Sequence, residues 1–219
     1  MPLIDEALGF NAFELIRDRT AAIIADELGN QAELQAQVAN PDTDLVEQLE
    51  KLKIVTERFR PFNESDYPAV DVFLFQDEFD NKAQQQVRGT MHLYLDVYTD
   101  GVRKGTDPKS DAGDQLSSKR GQRIAGLIRT ILEHPAYVTL LFNPPAECYI
   151  NRTIVRSIKR TEEENTKDGL SVMLYRVIFE VVSSEETNAL PSRELALATT
   201  DVRIGETSLG YQWIYNPNG

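Results

Sequence analysis

The chain has 219 residues, 41% hydrophobic and 26% charged, which suits a soluble globular protein with one sizeable core rather than a disordered or membrane-spanning one. A net charge of −12 argues against a protein that grips nucleic acid, since that affinity comes mainly from Lys and Arg displacing phosphate counterions. No apolar run approaches bilayer length, Met1 to Glu6 lacks the features of a signal peptide, and the single Cys148 excludes an intrachain disulfide or a cysteine-based zinc site, so folding in a cytoplasm is expected.

From Asn11 to Leu28, Phe13, Ile16, Ala21, Ile23, Ile24 and Leu28 recur at helical spacing among Glu14, Arg17, Asp18, Arg19 and Asp26. This predicts an amphipathic helix that closes at Gly29-Asn30, a favourable C-terminal pair. Gln31 to Val38 is compatible with a second short helix ended by Pro41 and Asp42. Asp44 to Lys53, with Leu45, Leu49 and Leu52, is compatible with helix, and Ile54 to Phe59 has the texture of a strand.

Between Ala69 and Val182 the order is strand, strand, helix, strand, strand, the signature of a mostly antiparallel sheet covered by helices on one face. Ala69 to Phe75 is rich in β-branched and aromatic residues and reads as a buried or half-buried strand. In the next strand Met91, Leu93, Leu95 and Val97 alternate with His92, Tyr94, Asp96 and Tyr98, giving a core face and a semi-polar one. Gly101 to Gln115 is a polar loop containing Arg103 and Lys104, of a length that is commonly functional. Leu116 to Leu132 is a second amphipathic helix, with Ile124, Leu127, Ile128, Ile131 and Leu132 on its apolar stripe.

Tyr149 to Arg160 and Leu170 to Val182 form a hairpin across the acidic turn Thr161 to Gly169. Met173, Tyr175, Val177, Phe179 and Val181 share one face of its second arm, and Val172, Leu174, Arg176, Ile178 and Glu180 the other. Partial covering on both faces places that strand inside a sheet or against another subunit. After Pro191 the chain thins to an extended tail with an aromatic cluster, Tyr211, Trp213 and Tyr215.

No recognised catalytic constellation accompanies these elements. His92 and His134 have no nucleophile motif beside them and read as structural. Asp42 with Asp44, and Glu162-Glu163-Glu164, read as solvated acidic loops, and no phosphate-cradling glycine loop is present. In the hairpin, Arg152, Arg156 and Arg160 share a strand face with Ile150, Ile154 and Ile158 by simple alternation. Those arginines either pair with acidic groups of the same chain or face another subunit, where arginine is enriched. Tyr211, Trp213 and Tyr215 either fold back on their own core or dock on a neighbour. Arg103 and Lys104 complete the candidate interface residues. No catalytic, cofactor-binding or metal-binding residue is assigned.

An N-terminal amphipathic helix, the Tyr-Pro-Ala-Val-Asp-Val-Phe strand, the Gly-Thr-Met-His-Leu-Tyr-Leu-Asp-Val-Tyr strand, a covering helix and a closing hairpin together resemble the tail terminator, or tail completion, proteins of tailed bacteriophages. The resemblance spans Asn11 to Val182 and rests on the order and texture of the elements. It implies a single α+β domain over residues 1–190, with 30–60 variable among family members and 191–219 a C-terminal extended arm. It further implies a structural virion protein, not an enzyme, without cofactor or metal. Such a protein caps the head-proximal end of the tail tube as a ring, usually a hexamer, stops tube polymerisation and presents the head-docking surface. The implied partners are further copies of the chain, the tail tube protein, a head-tail connector or neck protein and, in a contractile tail, the sheath protein. DNA passes through such a ring without specific binding, no membrane is involved, and assembly takes place in the host cytoplasm. Alternatives are another neck component, the cap of a phage-derived contractile injection device or, in a different class, a metal-dependent nuclease built on the carboxylate clusters. A nucleic-acid-binding module is disfavoured by the charge.

Overall fold

The apolar stripes form one layer of helices on one side of a five-stranded sheet. This computed structural model describes residues 12–58, 62, 64–80, 86–102, 113–142, 149–165, 170–186, 198–203 and 210–215. In chain order the elements are α1 (Ala12–Gln37), α2 (Thr43–Lys51), β1 (Lys53–Thr56), β2 (Ala69–Asp80), β3 (Gln86–Val102), α3 (Gly113–Leu132), β4 (Tyr149–Asn165), β5 (Leu170–Glu186), β6 (Ala198–Arg203) and β7 (Gly210–Tyr215). The sheet order is β1-β2-β3-β5-β4, antiparallel throughout except for the parallel pair β1 and β2. This is the expected α+β class, with β5 inside the sheet.

Strict alternation builds the core. Met91, Leu93, Leu95 and Val97 of β3 are fully buried beside Val177, Phe179 and Val181 of β5, and Val70 and Val72 of β2 continue the layer. Ile124, Ala125 and Ile128 of α3 and Ile16 and Ile24 of α1 close over it. Among the described residues, no helix is long and apolar enough to cross a membrane.

α1 does not close at Gly29-Asn30; it runs unbroken to Gln37. The buried stripe Ile16, Thr20, Ile24, Leu28 and Ala32 passes straight through that pair, and packing of this face outweighs the helix cost of about 1 kcal/mol for one glycine. Gly29 lines a groove of about 750 Å³ against α2 and β1, and a Cβ there would meet nothing within 4 Å. Gly29→Ala is therefore expected to raise the stability by about 0.5–1 kcal/mol in urea unfolding, and a lower midpoint would contradict the open groove.

α2 begins where Asp42 caps the Leu45 amide at 3.3 Å, and the strand after it ends at Thr56, short of the expected Phe59, which lies outside the described residues. At Glu57 the backbone turns through a positive φ of 51° and the Glu57 side chain accepts the Leu74 amide at 2.9 Å, so pairing with β2 stops there. α3 starts at Gly113, earlier than the apolar stripe indicates, and β3 runs on to Val102. Of the loop expected at Gly101 to Gln115, residues 103–112 lie outside the described residues. β4 likewise continues through the expected turn as far as Asn165. The arm beyond Pro191 is extended at 198–203 and 210–215, and these segments pair with each other as a two-stranded antiparallel sheet.

Candidate assembly surface

Because all three helices lie on one side, the other side of the sheet is bare among the described residues. Strand register sets its rows: Phe73, Tyr94, Ile178 and Ser157; Asp71, Asp96, Arg176 and Lys159; Gln76, His92, Glu180 and Ile154. A bulge between Leu74 and Gln76 throws Phe75 out of register on this side, where it is 56% exposed. Its ring stacks on Tyr94 with centroids 4.2 Å apart and planes 6° from parallel, while Phe73 meets Tyr94 edge-on at 5.8 Å. The Arg176 guanidinium lies 4.7 Å from the Tyr94 centroid, a cation–π contact. At the Tyr98 end the face is closed by Phe62, 4.8 Å from the Tyr98 ring, with Arg58 stacked on Phe62.

The buried carboxylates of this face are met from within the chain. Arg176 holds Asp96 in a fork of 2.7 and 2.6 Å. Asp71 lies directly across β2 and β3 from Asp96 and accepts the Arg58 amide at 3.2 Å. Burial first, then the neighbouring negative charges of Asp96 and Glu57, push its carboxyl up to about 6. Glu180 accepts two bonds of 2.7 Å from Arg156 and one of 2.8 Å from Arg152. The Arg156 hydrogen bonds, more than those of Arg152, hold its carboxyl below the usual range despite its burial.

Neither a protein-family model nor a curated protein matches this chain in sequence.

The assignment of Arg152, Arg156 and Arg160 to one face with Ile150, Ile154 and Ile158 does not survive the register. β4 has irregularities between Ile150 and Arg152, Val155 and Ser157, and Thr161 and Glu164, and each extra residue flips the strand's parity. Arg152 and Ile154 stay on the bare face, but Ile158 lies opposite Val177 and Arg160 opposite Tyr175, in rows that face the helices. Arg160 donates to the Met173 sulfur at 3.2 Å. Arg152 and Arg156 make the intrachain pairing that was one of the two readings. Replacing both by Glu is thus expected to lower the melting temperature of the subunit itself, because Glu180, with only 7% of its side chain exposed, loses every partner named here and gains like charges. An unchanged melting temperature in thermal unfolding would show that the cluster contributes nothing to the fold.

Tyr211, Trp213 and Tyr215 lie in β7, in register with Val202, Thr200 and Ala198, and their side chains are outside the described residues, as are Arg103 and Lys104. Asp42 pairs with Arg123, and Asp44 holds Arg120 at 2.5 Å, so both carboxylates tie α2 to α3 rather than sit solvated in a loop. Among the described residues no group of three His, Cys, Asp or Glu is placed to hold a metal ion. His134 accepts the Ala136 amide at Nδ1, 3.2 Å, as cap of a short 3-10 turn, a role that needs that nitrogen unprotonated. The residues missed in the sequence were Phe73 and Phe75. Their alternation with Val72 and Leu74 was legible, but the apolar texture of Ala69 to Phe75 hid which face lay bare.

Proposed function

We propose that the chain is a structural component of a phage tail, capping the head-proximal end of the tail tube as a ring of six copies, ending tube polymerisation and forming the surface on which the head docks. One observation carries the reading. The order α1, β2, β3, α3, β4, β5, with helices on one face, follows the order of elements in the terminator resemblance. The bare aromatic face adds support, since a ring needs two different patches that meet by rotation. The acidic chain also suits a channel through which DNA slides without sticking. The fold alone does not separate this role from another neck component or an injection-device cap. The nuclease alternative has less support, because Asp42 and Asp44 are bound to arginines.

Native mass spectrometry with negative-stain imaging of the purified chain tests the proposal. The expected result is a six-copy ring. Monomers at every concentration, together with tails that carry no ring at the head-proximal end, would overturn it. Metal-dependent cleavage of DNA by the same sample would replace it with the nuclease.

A further inference from the structure

We propose that the bare face of the five-stranded sheet, centred on Phe75 and Tyr94, receives the C-terminal arm of a second copy of this chain. The inference deepens the ring reading and rests on it only for the number of copies.

The face is suited to an uncharged aromatic occupant. Its centre is a parallel stack of two rings with a third edge-on, and the outer ring has more than half its surface in water. Around that centre the Asp96 and Glu180 carboxylates are already bound by Arg176, Arg152 and Arg156. Covering the rings therefore leaves neither carboxylate without its cation. Aromatic rings packed at the dry centre of an interface, with paired charges around them, are where binding energy concentrates.

The end of the arm has the matching character, beyond the charged residues Arg193, Glu194, Asp201, Arg203 and Glu206. Thr207 to Gly219 contains no charged side chain and includes Tyr211, Trp213 and Tyr215, although the chain as a whole carries −12. Among the described residues β6 and β7 pair only with each other, and a two-stranded sheet is marginally stable in water unless it packs on something. Residues 187–197 join it to β5, and that length of chain spans at most about 40 Å, enough to reach an adjacent copy. An arm of one copy on the face of the next is a head-to-tail contact, the kind that closes rings.

Trp213 is the only tryptophan, so its fluorescence reports the arm alone. In the full-length protein the Trp213 emission is expected to shift to shorter wavelength as concentration rises. Phe75→Ser should weaken self-association about 30-fold, the loss of one aromatic anchor, with Phe75→Leu partly restoring it. The decisive experiment mixes two full-length variants. Phe75→Ser keeps a sound arm and Trp213→Ala keeps a sound face, so each alone should remain dispersed. Together they should form pairs and blue-shift the single tryptophan. If Phe75→Ser lowers the melting temperature, Trp213→Ala against the unaltered chain gives the same comparison from the arm side. An emission that is independent of concentration, of Phe75→Ser and of mixing would overturn the proposal, as would rings that form normally from Trp213→Ala protein. That last result leaves the ring reading standing. Mixed pairs, with no ring from the unaltered chain at any concentration, would instead remove the ring and keep the docking.

Discussion

Arg176→Met is expected to cost about 3 kcal/mol of stability near neutral pH, the lower end of the range for buried pairs because Arg176 keeps part of its side chain in water. Methionine retains much of the packing stem but leaves Asp96, 3% exposed, facing Asp71 across the strand pair without the cation that holds it from the β5 side. Like charges placed directly opposite on neighbouring strands repel, and burial removes the water that would screen them. The loss should shrink in acid. Asp71 binds its proton more tightly folded than unfolded, with a carboxyl raised from 3.8 to about 6, so folding takes up a proton between those values. In the unaltered protein this group's contribution to stability thus falls as pH rises through that window. Asp71→Asn, whose carbonyl oxygen can still accept the Arg58 amide, should flatten that part of the profile. Urea unfolding of Arg176→Met from about pH 4 to pH 8 tests the argument. An equal loss at both ends would assign the effect to the guanidinium packed on Tyr94 rather than to charge.

Of Gly29, Gly101, Gly121 and Gly126, Gly101 should be the one where an added methyl group does most damage. A Cβ at Gly101 would stand 2.2 Å from the Gly113 carbonyl oxygen and 2.7 Å from the Ser117 amide nitrogen, both backbone atoms of α3. No rotamer change relieves that clash, so the first turns of α3 must move off the sheet. The helix is fixed there by the Thr99 hydroxyl on the Ser117 carbonyl at 2.8 Å and by Arg120, which bonds the Asp100 carbonyl at 2.8 Å and Asp44 of α2. Shifting it strains these bonds as well as the packing of Ile124 and Ile128, for a loss of about 3 kcal/mol or more. Thermal unfolding of the variant checks it. A melting temperature within a few degrees of the unaltered protein would mean that α3 docks with more slack than its contacts indicate.

What was legible in the sequence follows the range of the force involved. Alternation along Met91 to Val97 and Met173 to Val181 identified the core face residue by residue, because burial of every second side chain leaves a local record. Gly29-Asn30 misled because its local preference for ending a helix is small beside the tertiary packing of Leu28 and Ala32 on either side. The face of Arg160 could not be read at all. A bulge is an agreement between two strands over which residue to skip, and nothing around Val155 to Ser157 announces it. The partners of Arg152 and Arg156 were within reach, since alternation puts Glu180 on the face of β5 opposite Met173, Tyr175, Val177, Phe179 and Val181.

The bulges of β4 also bear on what happens when many copies crowd together. A straight rim of seventeen residues at the margin of a sheet would offer a template on which further strands add without limit. Here its amide and carbonyl groups come at broken intervals, because the strand changes register at three places along its length. Two such rims do not match hydrogen bond to hydrogen bond. Growth rim to rim is thereby discouraged, which leaves the broad faces for the contacts of the proposed ring, whose closure would be set by the geometry of rotation and not by the supply of subunits.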